Sequence, residues 1–169
     1  ENISINPQGA IPPEVFMPKF KRLYEHVKRT HPEAVLASPP TIGSVGGPNE
    51  FEKFIQLGLL DMDVVITVNI YTENALRDYG IVFDNYRAQL KNKRIWVTET
   101  GIDSPEEQIN WVNNFYPRII NTIHPEMICW YVTWGGDNPS GNNGFGILKN
   151  VKYGPVIEMD LLKALIGGR

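Results

Sequence analysis

The chain has 169 residues, 42% of them hydrophobic and 11% aromatic, which suits one globular core and excludes a disordered chain. A net charge of −3 and a pI near 5.6 exclude a surface built for a polyanion, which needs concentrated Lys and Arg, so nucleic acid is not an expected partner. The single cysteine, Cys129, can form no intrachain disulfide and no thiolate zinc cluster, and no apolar run reaches the ~18 to 20 residues of a membrane span.

In chain order, the Pro- and Gly-rich loop "NPQGAIPP" comes first, and no charged-then-apolar leader precedes the first strand. The chain opens on Glu rather than Met, so a processed product or an excised piece is expected. Residues 13 to 30 then place Phe16, Phe20, Leu23, Tyr24 and Val27 at helical spacing, giving one apolar face. "EAVLAS" (33 to 38) reads as a short strand, followed by the loop "PPTIGSVGGPN" and a helix from about Glu50 to Leu60. The β-branched run "DVVITVNIY" (63 to 71) predicts a strand buried on both faces, with a helix from about Ala75 to Lys91 after it. "RIWVTETG" (94 to 101) is the next strand.

The following helix has a start signal: Ser104 as N-cap, Pro105 at the first helical position and Glu107 three residues after the cap, with a kink expected at Pro117. "MICWYVTW" (127 to 134) is the last predicted strand; "GGDNPSGNNGFG" is a long loop, and "VIEMDLLKALI" is a closing helix.

Strands alternating with helices imply parallel pairing and right-handed crossovers, which a doubly wound sheet and a (β/α)8 barrel both satisfy. A nucleotide-binding doubly wound sheet should carry a Gly-rich phosphate turn after its first strand, and "TIGSVGGPN" lacks the GxGxxG spacing. The strands end instead in polar or aromatic residues: Ser38, then Asn69 and Tyr71, then Glu99, then Trp134. A barrel gathers such ends into one mouth, so the barrel is preferred. A whole barrel takes ~250 residues, so four strands make about half of one.

Two-residue periodicity predicts that Asn69 and Tyr71 share a face with Val65 and Thr67, Glu99 with Ile95 and Val97, and Trp134 with Trp130 and Val132. Trp96 and Trp130 read as packing residues. An indole and a phenol stack on sugar rings, an amide binds sugar hydroxyls, and a carboxylate can attack or stabilise a cationic anomeric carbon. Glycoside hydrolysis needs a second carboxyl group; Glu1, Glu73, Asp103 and Asp137 all lie in expected loops. His26, His31 and His124 are scattered, read as surface residues and form no metal triad.

"KRIWVTETGID" resembles the seventh strand of the clan of retaining (β/α)8 glycoside hydrolases that includes cellulases, β-xylosidases and β-mannanases, in which the Glu of W-x-T-E-x-G is the nucleophile. Other segments resemble that clan in the required order. "FMPKFKRLYEHVKRTHPEAVLASPP" is similar to its fourth helix and fifth strand. "FEKFIQLGLLDMDVVITVNIY" is similar to its fifth helix and sixth strand, where a His-x-Tyr pair usually faces the site and Asn69-Ile70-Tyr71 stands here. "MICWYVTWGG" is similar to its eighth strand with a Trp platform, and "GFGILKNVKYGPVIEMDLLKAL" to its closing segment.

The resemblance implies a partial TIM barrel, about strands 5 to 8 with their helices, in one domain over residues 1 to 169. It implies a retaining glycoside hydrolase for β-linked glycans, with Glu99 as nucleophile and Glu1, at the position that ends the fourth strand, as acid/base. Tyr71, Trp134 and Asn69 would contact substrate, Tyr71 also steering Glu99 through a hydrogen bond. No cofactor or metal is expected. The expected partners are a carbohydrate substrate and an N-terminal half-barrel or a second copy. The alternative is a non-catalytic carbohydrate-binding or assembly half-barrel, whose open sheet edges invite pairing.

Overall fold

A computed structural model describes residues 11–41, 43, 46–104, 106–131, 148–151, 154–157 and 159–167. These form a mixed α/β fold around a three-stranded parallel sheet, with an antiparallel hairpin and a closing helix after it. Helix α1 spans Pro13–Thr30 and α2 Gly47–Gln56, and a 3-10 turn covers Leu59–Asp61. Strand β1 is Ile66–Asn69, α3 Glu73–Asn85, α4 Arg87–Leu90 and β2 Ile95–Thr100. A short α5, Gln108–Asn110, runs through a π-helical segment, Trp111–Phe115, into α6, Tyr116–Ile123. Strand β3 is Met127–Trp130, β4 Leu148–Val151 and β5 Gly154–Ile157, and α7 is Met159–Gly167.

The sheet keeps chain order, β1-β2-β3, every pair parallel. Ahead of it the predicted strand 33 to 38 contracts to one parallel bridge, Ala37 to Val65, flanked by Ser38 N–H to Val65 O and Val65 N–H to Leu36 O, each 2.8 Å. Val35 is 65% exposed, so this stretch lacks the two-sided burial that holds β1.

One face of the sheet packs on the helices. Ile66, Val68 and Ile70 of the first strand region and Ile95 and Val97 of β2 join one apolar cluster with α2, α3 and α6. Phe51 lies at its centre, fully buried, with ring centroids 5.6 Å from Phe83 and 6.0 Å from Tyr79. Such offset aromatic contacts add to the area each ring removes from water. Of the expected α1 stripe Phe20 is buried, joined by Met17 from outside the stripe, whereas Leu23, predicted on that face, is 52% exposed.

Other boundaries differ from expectation for identifiable reasons. Thr72 caps α3 by accepting from Ala75 N–H at 3.1 Å, and the helix breaks at Tyr86 before α4. Ser104 does not cap a helix: its carbonyl accepts from Glu107 N–H at 2.9 Å in a turn, and α5 starts only at Gln108. The irregularity expected at Pro117 is the π segment just before it, which accommodates the missing amide. Residues Val156 and Ile157, expected in a helix, belong to β5 and pair with Lys149 and Leu148.

Candidate functional site

The carboxyl ends of β1 and β2 are not regular. Val68 pairs with Val97, but Asn69 pairs with Glu99, so Thr98 is an extra residue in β2. A second irregularity separates the Val97–Ile128 and Thr100–Trp130 pairs of β2 and β3. This is a bulge, which bends a strand and re-aims its side chains.

Strict alternation from Ile95 and Val97, both packed against helices, would bury Glu99 in the same apolar layer. The face assignment predicted for Glu99 is therefore corrected. Thr98 Oγ1 donates to Asn69 Oδ1 at 2.8 Å, and Tyr71 Oη donates to Glu99 Oε2 at 2.6 Å, so both residues emerge on the side of Asn69 and Tyr71. Thr100, fully buried, returns to the helix side, where its Oγ1 accepts from Trp111 Nε1 at 3.4 Å.

Glu99 and Tyr71 are both half-buried. The Ile70 N–H donates to Glu99 O at 2.9 Å and the Tyr71 N–H to Gly43 O at 2.8 Å, which ties the strand ends to each other and to the preceding loop. Asn69 is fully buried, so its side chain braces the bulge through Thr98 beneath the mouth. Below it, Ser38 Oγ accepts from Thr67 N–H at 2.8 Å and lies 3.1 Å from Thr67 Oγ1, while Thr67 Oγ1 donates to Ser38 O at 2.7 Å. This polar layer satisfies its own donors, as buried polar groups must.

Tyr131 completes the group and was not anticipated. Its N–H donates to Thr100 O at 2.8 Å, and its ring meets Tyr71 edge-on, with centroids 6.1 Å apart and planes at 88°. It is 41% exposed. Trp130, read as a packing residue, lies near Tyr116 of α6, with centroids 6.4 Å apart. Once Ile128 and Trp130 are given to the helix side, alternation sends Tyr131 to the mouth; that parity was the usable signal.

Glu1 and Trp134 lie outside the described residues, as does Asp137. Of the other carboxylates considered as partners for Glu99, Glu73 is ion-paired with Arg118, and Asp103 is exposed in the loop after β2. His26, His31 and His124 are exposed, and no group of three or more metal-ligating side chains occurs among the described residues. No described helix is long and apolar enough to cross a membrane.

A cleft of about 560 Å³ lies at the opposite end of the sheet, lined in part by Arg87, Lys91, Lys93 and His124 beside Phe83 and Ile95. Its cations have local explanations. Arg87 pairs with Asp84 at 2.6 Å, Lys93 Nζ donates to Met62 O at 2.7 Å, and Lys91 and His124 are the C-cap residues of α4 and α6.

No protein-family model, curated sequence or solved structure matches the chain.

Proposed function

We propose that the chain is the C-terminal half of a (β/α)8 retaining glycoside hydrolase acting on β-linked glycans. The observation that carries this reading is the 2.6 Å hydrogen bond from Tyr71 to Glu99 at the carboxyl ends of adjacent parallel strands. Parallel strands in chain order with helices packed on one face fit a barrel segment, whose chemistry lies at those strand ends.

In this reading Glu99 attacks the anomeric carbon and forms a glycosyl-enzyme, while Glu1 protonates the leaving oxygen and then activates water. Retention requires the two carboxyl groups to stand ~5 to 5.5 Å apart. Tyr71 holds one Glu99 oxygen so that the other faces the sugar. Trp134 stacks on the sugar ring, and Asn69 acts from beneath through Thr98. No cofactor enters the reaction.

The test is covalent trapping. A 2-deoxy-2-fluoro glycosyl fluoride should label the chain, supplied with an N-terminal half-barrel where needed, and peptide mass spectrometry should find the sugar on Glu99. Labelling elsewhere, or equal hydrolysis of aryl β-glycosides by wild type and Glu99→Gln, would overturn the reading.

The second reading, a carbohydrate-binding half-barrel that pairs with another chain, draws on the single bridge at Ala37, a weak sheet edge of the kind that invites pairing. Saturable glycan binding without turnover, by an associated form seen in light scattering, would favour it.

A further inference from the structure

We propose that Gly43 is a positioning residue: it seats the ring of Tyr71 so that the phenol reaches Glu99. The inference rests on the glycosidase reading for its consequence, but its geometry stands apart from it.

The ring of Tyr71 occupies the space that a side chain at position 43 would need. A Cβ built on Gly43 would lie 2.4 Å from Tyr71 Cδ2, 2.8 Å from the carbonyl carbon of Asn69 and 3.0 Å from Asn69 O. Carbon atoms sit comfortably at ~3.5 to 4.0 Å, so the ring would have to retreat by ~1 Å. The backbone of Asn69 cannot give way, since it lies in β1.

Nor can the loop withdraw freely. Gly43 O accepts from Tyr71 N–H at 2.8 Å, and two residues earlier the buried Thr41 Oγ1 lies 2.5 Å from Tyr79 Oη, in the core. Tyr131 stands edge-on to the Tyr71 ring. Tyr71 is therefore held between Gly43, close to the Thr41 anchor on α3, and a ring whose backbone is tied to Thr100 of β2. A displacement of ~1 Å lengthens the 2.6 Å bond to Glu99 past the range in which a hydroxyl donates effectively.

A double-mutant cycle tests this. With an aryl β-glycoside, Gly43→Ala should lower kcat about tenfold with KM within about threefold of wild type, and adding it to Tyr71→Phe should change kcat less than about twofold. Multiplying effects in the Phe background, or wild-type kcat in Gly43→Ala, would overturn the proposal. Two activity-free measurements keep it testable if the wild-type chain hydrolyses nothing, a result that sinks the glycosidase reading alone. Gly43→Ala should lower Tm, and that loss should be clearly smaller in a Tyr71→Ala background, where only the Asn69 backbone contacts remain to be relieved. A crystal structure of Gly43→Ala should show the Tyr71 to Glu99 contact broken. An equal Tm loss in both backgrounds, or an intact contact, would overturn the seating role.

Discussion

Tyr71 stands two residues past the end of β1 and Glu99 in the neighbouring parallel β2, and the phenol of one donates to the carboxylate of the other at 2.6 Å. A hydrogen bond to a charged acceptor contributes ~1.5 to 3 kcal/mol. If Glu99 is the nucleophile, Tyr71→Phe should lower kcat/KM about 10- to 100-fold, the same energy read as a rate. Steady-state kinetics on an activated aryl β-glycoside measure it; an unchanged kcat/KM would separate the contact from the chemistry.

The brace under that pair predicts a stability effect. Thr98→Val removes the hydroxyl that donates to the fully buried Asn69 Oδ1 at 2.8 Å. An acceptor left short of a partner in such a place costs ~1 to 3 kcal/mol. Urea denaturation should therefore show a lower midpoint with an unchanged slope. A neutral result would mean that the bulge is held by its neighbours alone.

What was legible beforehand follows from which physics is local. Long periodic stretches announced α1, β1 and α3 because burial of one face or both leaves a pattern in the residues themselves. The strand end at Glu99 was also legible as a carboxylate before a glycine, yet its face was not. A bulge is a mismatch between two strands, and no residue in "WVTET" declares that Thr98 will be unpaired. Tyr131 was hidden by the same dependence, since its direction is set by Trp130 packing on Tyr116. Ser104 carried a capping signature in full, but the chain there turns first and the helix begins at Gln108. Gly43 looked like one loop glycine among several until the ring of a residue 28 positions on was seen to fill its side-chain space.

At acid pH, Glu126 provides a test of the opposite end of the sheet. Hydrogen bonds from Trp96 Nε1 at 2.9 Å and Arg94 Nε at 2.8 Å hold its carboxyl below the ordinary value of 4.5. A depressed native value contributes stability that is present above the unfolded value and is lost as pH falls through the native one. Wild type should exceed Glu126→Gln in Tm at pH 6, and the two curves should converge once the pH has dropped well below 4.5. Curves that stay parallel across this range would show that the pair contributes nothing pH-dependent.

The alkaline limb has different owners. Burial pushes the phenols of Tyr79 and Tyr116 up from 10.0, the Tyr79 shift being partly offset by its hydrogen bond with Thr41. Above pH 10 the unfolded chain loses these protons while the native one keeps them, so stability falls as pH rises. Absorbance titration should show Tyr79 and Tyr116 ionising only together with unfolding. Tyr79→Phe should blunt the decline, and simple independent ionisation of both phenols would contradict the assignment.

The unpaired Thr98 also makes the site and the fold answer to the same constraint. Pairing Thr98 itself with Asn69 would restore an even ladder between β1 and β2, the arrangement a sheet otherwise prefers. It would equally rotate Glu99 into the layer occupied by Val97, Ile95 and Phe51, where an ionised carboxylate without a partner costs several kcal/mol. Chains that slip by one residue are thus penalised in stability before any loss of chemistry is felt. An acid at this strand tip is kept on its proper side by the aversion of the apolar layer to charge.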